Sequence, residues 1–89
     1  MKMFHSLEEL NASNKKETLH AANRMGFDTQ QEEDDGKILC GRHGSDEIIE
    51  VYPNGSWALL GKEISGDSVV SLKLLHSLGE DEYLAETTG

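Results

Sequence analysis

The sequence predicts an α+β domain. A three-stranded antiparallel meander over about residues 37–43, 47–52 and 56–60 carries an N-terminal and a C-terminal helix packed on one face, in the order α-β-β-β-α. Three observations carry this expectation. Gly44-Ser45 and Pro53-Asn54-Gly55 are tight-turn signals, the apolar residues around them alternate with period two, and both flanking segments carry helix start and stop signals.

The turns define the sheet. In Pro53-Asn54-Gly55, proline presets φ, Asn tolerates the second place and Gly takes a left-handed third place, so Tyr52 and Ser56 close a three-residue loop. Counting back, Val51 faces Trp57, Glu50 faces Ala58, Ile49 faces Leu59 and Ile48 faces Leu60. Gly44-Ser45 reads as a two-residue loop pairing His43 with Asp46. That sets Arg42 against Glu47, Cys40 against Ile49, Leu39 against Glu50 and Ile38 against Val51. Read independently, the two turns place Ile38, Cys40, Ile49, Val51, Trp57 and Leu59 on one side. A slip of one residue would turn that whole set to solvent.

The first helix starts at Ser6-Leu7-Glu8-Glu9, a capping box, and stops at Gly26, with Phe27 as the apolar partner of the closing motif. Leu7, Leu10, Ala21, Ala22 and Met25 share one face of a continuous helix, but Leu19 falls off it. Asn11-Ala12-Ser13-Asn14 could equally end one helix and cap another. Residues 28–36 lack apolar alternation and read as an acidic loop, or at most a frayed edge strand. The second helix is expected between Ser65 and Gly79, capped by Ser65 or Asp67, with Val70, Leu74, Leu75 and Leu78 as its apolar stripe. Residues 1–79 then form a single globular domain, and 80–89 an acidic mobile tail.

Charge is localised. The net charge is −9, and five carboxylates within residues 28–35 plus four within residues 80–86 account for all of it. The remaining carboxylates are matched by the 8 Lys and Arg. Phosphate-backbone binding needs clustered cations, and the longest basic run is Lys15-Lys16, so direct nucleic-acid binding is not expected. No apolar run reaches the roughly 18 residues of a membrane span. The N-terminus lacks the apolar core of a signal peptide, and the single cysteine allows no internal disulfide. A soluble cytoplasmic protein is the expectation.

Catalytic and metal-binding motifs are sparse. Cys40-Gly41-Arg42-His43 has the spacing of half a zinc site, but His5, His20 and His76 are scattered. Residues three apart on a strand also point to opposite faces. Cys40 is therefore expected as a buried structural thiol, with no metal or cofactor. Glu32, Glu33, Asp34 and Asp35 lack the alternation of a calcium loop.

The order helix, "GF", strands, helix, with "GSDEIIEVYPNG" at its centre, resembles the HicA family of small RNA-cleaving toxins. The resemblance spans residues 26–79 loosely and implies the layout of a double-stranded-RNA-binding-like fold. In that family a catalytic His follows a similar Gly-Ser, whereas Asp46 and Glu47 stand there in this chain. The family is basic and this chain is acidic, so the layout carries over and the activity does not.

The sheet's second face should hold Leu39, Gly41, Ile48, Ala58 and Leu60 among Lys37, Glu50, Tyr52 and Ser56, half apolar and half polar. Either the N-terminal segment covers it or it binds something. The leading expectation is a non-enzymatic protein-interaction module, an inhibitor or adaptor. It would hold a protein partner, with a basic one as a specific case, through Leu39, Ile48, Glu50, Tyr52 and Leu60 or through Glu32, Glu33, Asp34 and Asp35. The alternative is a small hydrolase or nuclease using His43 with Asp46 or Glu47. A homodimer burying the second face is compatible with the first reading.

Overall fold

The computed structural model describes residues 6–88. The five residues before Ser6, His5 among them, lie outside that range. Along the chain run α1 (Leu7–Arg24), β1 (Thr29–Glu32), β2 (Ile38–Gly41), β3 (Ile48–Val51), β4 (Trp57–Leu59), β5 (Ile64–Gly66), α2 (Val69–Leu78) and α3 (Glu80–Thr88). The strands form one antiparallel meander in the order β1-β2-β3-β4-β5.

The three central strands pair as the turns dictate. Ile38, Leu39 and Cys40 oppose Val51, Glu50 and Ile49, while Val51, Glu50 and Ile49 oppose Trp57, Ala58 and Leu59. Leu60 donates its amide to the Ile48 carbonyl at 2.9 Å, carrying the ladder one residue past β4. The strands are shorter at their ends than expected.

The three-strand expectation, and the layout implied by the resemblance, are corrected to five strands. The acidic loop 28–36 is itself a hairpin arm and its turn. Gln30 and Gln31 pair with Cys40 and Leu39, and the turn repeats the geometry at Pro53-Asn54-Gly55. There, Tyr52 donates to Ser56 O, Gly55 to Tyr52 O, and Ser56 N to the Asn54 side chain; in the acidic turn, Glu33 donates to Lys37 O, Gly36 to Glu33 O, and Lys37 N to the Asp35 side chain. Gly55 and Gly36 both take the left-handed place, at φ 94° and 90°. Asp34-Asp35-Gly36 is thus a turn signal masked by its charge. Five residues past β4, Ile64 buries its side chain from β5, opposite Leu59.

The Gly44 turn also differs from expectation. Ser45 N donates to Arg42 O at 3.2 Å, so the turn spans Arg42–Ser45 with Gly44 in its third place at φ 77°. Register survives because Arg42 and Glu47 still flank the turn, with Nη1 and Oε1 3.7 Å apart.

Residues 7–24 form one helix. The Glu9 amide donates to the Ser6 hydroxyl at 3.2 Å. At the other end, Gly26 N donates to Asn23 O and Phe27 N to Ala22 O, with Gly26 at φ 102°. The expected apolar face is half corrected. Thr18, Ala21 and Ala22 are buried and Leu19 and Met25 pack on the core, but Leu7 and Leu10 are exposed. The first two turns run past the core.

α2 begins later than expected. Ser65 belongs to β5, Asp67 lies in the connection, and the N-cap is Ser68, whose amide donates to Ser71 Oγ at 3.4 Å. Leu72 and Leu75 face the core, while Val70 and Leu74 are exposed. The Trp57 indole sets this orientation by donating to Ser68 O and Ser71 Oγ, both at 3.0 Å. Residues 80–88, expected as a tail, form α3. Tyr83 is buried against Trp57 with ring centroids 6.0 Å apart, and its hydroxyl donates to Ser65 O at 2.7 Å.

One core joins these parts. Phe27, Cys40, Ile49, Val51, Trp57, Leu59 and Ile64 from the sheet side meet Ala21, Ala22, Leu72, Leu75 and Tyr83 from the helices. All three helices therefore pack against the same face of the sheet.

Candidate functional site

With the helices on the inner face, no described element covers the outer one. Register lays it out in three rows. Nearest the Gly36 and Gly55 turns, Lys37, Tyr52 and Ser56 stand beside one another. Next come Gln31, Leu39, Glu50, Ala58 and Ser65. At the far end lie Thr29, Gly41, Ile48 and Leu60.

The first two rows are locked by polar contacts. Tyr52 Oη donates to Glu50 Oε2 at 2.6 Å, Lys37 Nζ lies 3.4 Å from Glu50 Oε1, and Asp35 Oδ2 lies 3.7 Å from the same ammonium. The hydrogen bond to Glu50, with burial second, holds the Tyr52 phenol above its ordinary range. The charges of Glu50 and then Asp35 raise the Lys37 ammonium. Tyr52 is thereby kept neutral and oriented.

The rest of the face is apolar. Leu39, Ile48 and Ala58 are half-buried, and Leu60 is 42% exposed. Because Gly41 has no side chain, a depression of about 210 Å³ opens there, lined by Thr29, Gln31, Leu39 and Ile48. A Cβ at Gly41 would stand 2.6 Å from Thr29 Oγ1, so glycine lets Thr29 lean across.

The expected binding residues therefore divide. Leu39, Ile48, Glu50, Tyr52 and Leu60 come together on one surface. Glu32 opposes Ile38, on the inner-face register of β1, while Glu33, Asp34 and Asp35 build the turn at that surface's corner. Lys37 and Ala58, placed on this face by the register count, join the surface, while Thr29, Gln31 and Ser65 reach it from β1 and β5, outside the three expected strands.

Cys40 is fully buried opposite Ile49, and burial pushes its thiol up to about 11. The inward placement of that sulfur agrees with the register reading. Among the described residues, no three of His, Cys, Asp and Glu converge as metal ligands. His43 and Asp46 are exposed with no hydrogen bond between them, and Glu47 turns to Arg42. Arg42 is structural: its guanidinium lies 4.3 Å over the Phe27 ring, and Nη2 donates to Met25 O at 2.9 Å. Nearby, a depression of about 230 Å³ has Phe27, Ile49, Leu59 and Leu75 at its base and His76 and Glu80 at its rim.

No known family model, curated protein or solved structure matches this chain. No described helix is long and apolar enough to cross a membrane.

Proposed function

We propose that this protein is a protein-interaction module whose binding surface is the outer face of the sheet. The observation that carries the reading is the placement of all three helices on one face, with no described element over Leu39, Ile48, Ala58 and Leu60 beside the ordered Tyr52–Glu50–Lys37 row. An apolar patch next to a preorganised tyrosine costs little ordering entropy on binding.

Size and charge narrow the partner. Five strands about 4.8 Å apart and four residues deep make a face of roughly 250 Å², well under the roughly 800 Å² per partner of a stable interface. Contact must extend beyond the sheet, and the adjoining turn offers Glu33, Asp34 and Asp35. The partner that fits has an apolar patch rimmed by Lys or Arg, steered by the chain's net charge of −9.

A photo-reactive residue at Leu60 tests this against one at Val70, exposed on α2. In cells of the native host, Leu60 should crosslink one discrete protein, and Ile48→Asp should abolish the crosslink. With that protein purified, Asp34→Lys with Asp35→Lys should slow association at low salt. A crosslink at Val70 but none at Leu60, or indifference to Ile48→Asp, would overturn the reading.

A further inference from the structure

The helical layer carries a second surface of opposite character. Between α1 and α2 lie two adjoining depressions of about 310 and 180 Å³ that share Ala21, Arg24 and Lys73. On α1, His20, Ala21 and Arg24 line them; on α2, Val69, Lys73 and His76 do. Spacings of three and four put each set on one helix face. The floor is apolar, from Ala21, Val69 and Met25, and the rim is basic except for Glu17 at one end.

Among the described residues, Lys37, Arg42 and Lys62 are ion-paired and Lys15 gives its ammonium to the Gly36 carbonyl. Lys16, Arg24 and Lys73 have no ion pair among the described residues, although the chain holds 17 carboxylates, and of these three Arg24 and Lys73 line the groove. Two unneutralised cations line one groove with two imidazoles, and Val70 and Leu74 stand exposed on the same helix as its α2 wall.

We propose that this groove docks an acidic amphipathic helix of a partner protein. Carboxylates of the partner pair with Arg24 and Lys73, and its apolar side chains rest on Ala21, Val69 and Met25. The α2 wall from Val69 to His76 is about 10 Å long, two helical turns, which suits anchors at positions i, i+3 or i+4, and i+7. Two cations are too few to hold a phosphate backbone. A small free anion would leave the apolar floor unused. At about 0.15 M salt the Debye length is about 8 Å, so carboxylates beyond that distance are largely screened, and Glu17 is the acidic side chain on the groove lining itself.

The test uses the full chain and a synthetic 14-residue helix with Leu at the i, i+3, i+7 positions and Glu on both flanks; a second peptide replaces every Glu with Lys. Amide chemical shifts should move at Ala21, Arg24, Val69, Lys73 and His76 with the Glu peptide and stay in place with the Lys peptide. Arg24→Glu with Lys73→Glu should weaken binding at least about tenfold. Both side chains are exposed, so an unchanged Tm confirms that the fold is intact. Shifts confined to Leu39, Ile48 and Leu60, equal binding of both peptides, or indifference to the double reversal would overturn the proposal. Self-association of the chain alone that Arg24→Glu abolishes would assign the groove to a second copy and also overturn it.

Discussion

The hydroxyl of Thr18, fully buried in α1, donates to the carbonyl of Gly55 at 2.6 Å and ties the helix to the β3–β4 turn. One turn earlier, Lys15 Nζ reaches the carbonyl of Gly36, the matching glycine of the β1–β2 turn, at 2.7 Å. Residues three apart on a helix share a face, so one stripe of α1 holds both turns and sets the helix across the sheet.

Thr18→Val keeps the shape and removes the donor, leaving the Gly55 carbonyl without its buried partner. The expected loss is about 1–3 kcal/mol in denaturant unfolding. In a domain of this size that lowers Tm by roughly 4–8 °C for each kcal/mol. Thr18→Ser should recover most of it, and equal losses in both variants would assign Thr18 to packing alone.

Gly36 and Gly55 occupy the same left-handed place, but their surroundings differ. A Cβ at Gly36 meets only Pro53 Cγ at 3.4 Å, whereas one at Gly55 would stand 2.6 Å from Asn14 Cβ and 2.8 Å from Asn14 backbone carbon. Gly36→Ala should cost about 1 kcal/mol from conformation alone. Gly55→Ala should cost about 1–3 kcal/mol more, because helix and turn must separate. Unfolding curves showing equal losses would mean that α1 is free to shift away.

The Cys40 thiol should be inert to a bulky disulfide reagent at pH 8 in the folded chain and react on unfolding. Its pKa is raised in the folded state, from 9.0 to about 11, so the unfolded chain loses this proton first. The stabilisation is complete below pH 9 and is lost as pH rises through about 11. Tyr52 and Lys37 are raised in the same direction, so the contribution of Cys40 is the part of the alkaline loss that disappears in Cys40→Ala.

α3 is held by one side chain above all. Tyr83→Phe removes the bond to Ser65 O and should cost about 1 kcal/mol. Tyr83→Ala also empties the space beside Trp57 and should cost about 3–5 kcal/mol. Hydrogen exchange should show α3 losing protection before the sheet does. Uniform loss across the chain would instead make α3 part of the global folding unit.

Legibility followed the range of each interaction. Strand register and the α1 caps were readable because turns and caps are fixed by residues within about five positions of one another. Asp34-Asp35-Gly36 carries the same kind of signal inside a run of four carboxylates, whose charge pattern is also that of a solvated loop. β5 was missed because three residues show too little alternation to register as a strand. The α2 stripe is corrected in part, with Leu75 inside as expected and Val70 and Leu74 outside, because its rotation depends on the Trp57 indole reaching Ser68 and Ser71, a contact 11 and 14 residues distant. Of the candidate site, Leu39, Ile48, Glu50, Tyr52 and Leu60 were placed together by register alone. That the helices leave them bare was not readable.

By itself, then, the sequence determined which way each residue of the three central strands points, including the inward turn of Cys40, because tight turns and period-two alternation are local and over-determined. Only the tertiary structure decided that α1 lies across the Gly36 and Gly55 turns, that Tyr83 brings α3 against Trp57, and that Arg24 and Lys73 line one groove. Those arrangements rest on contacts between segments far apart in the chain. Their partners are selected by shape and hydrogen bonding in the assembled core, and no local pattern encodes that choice.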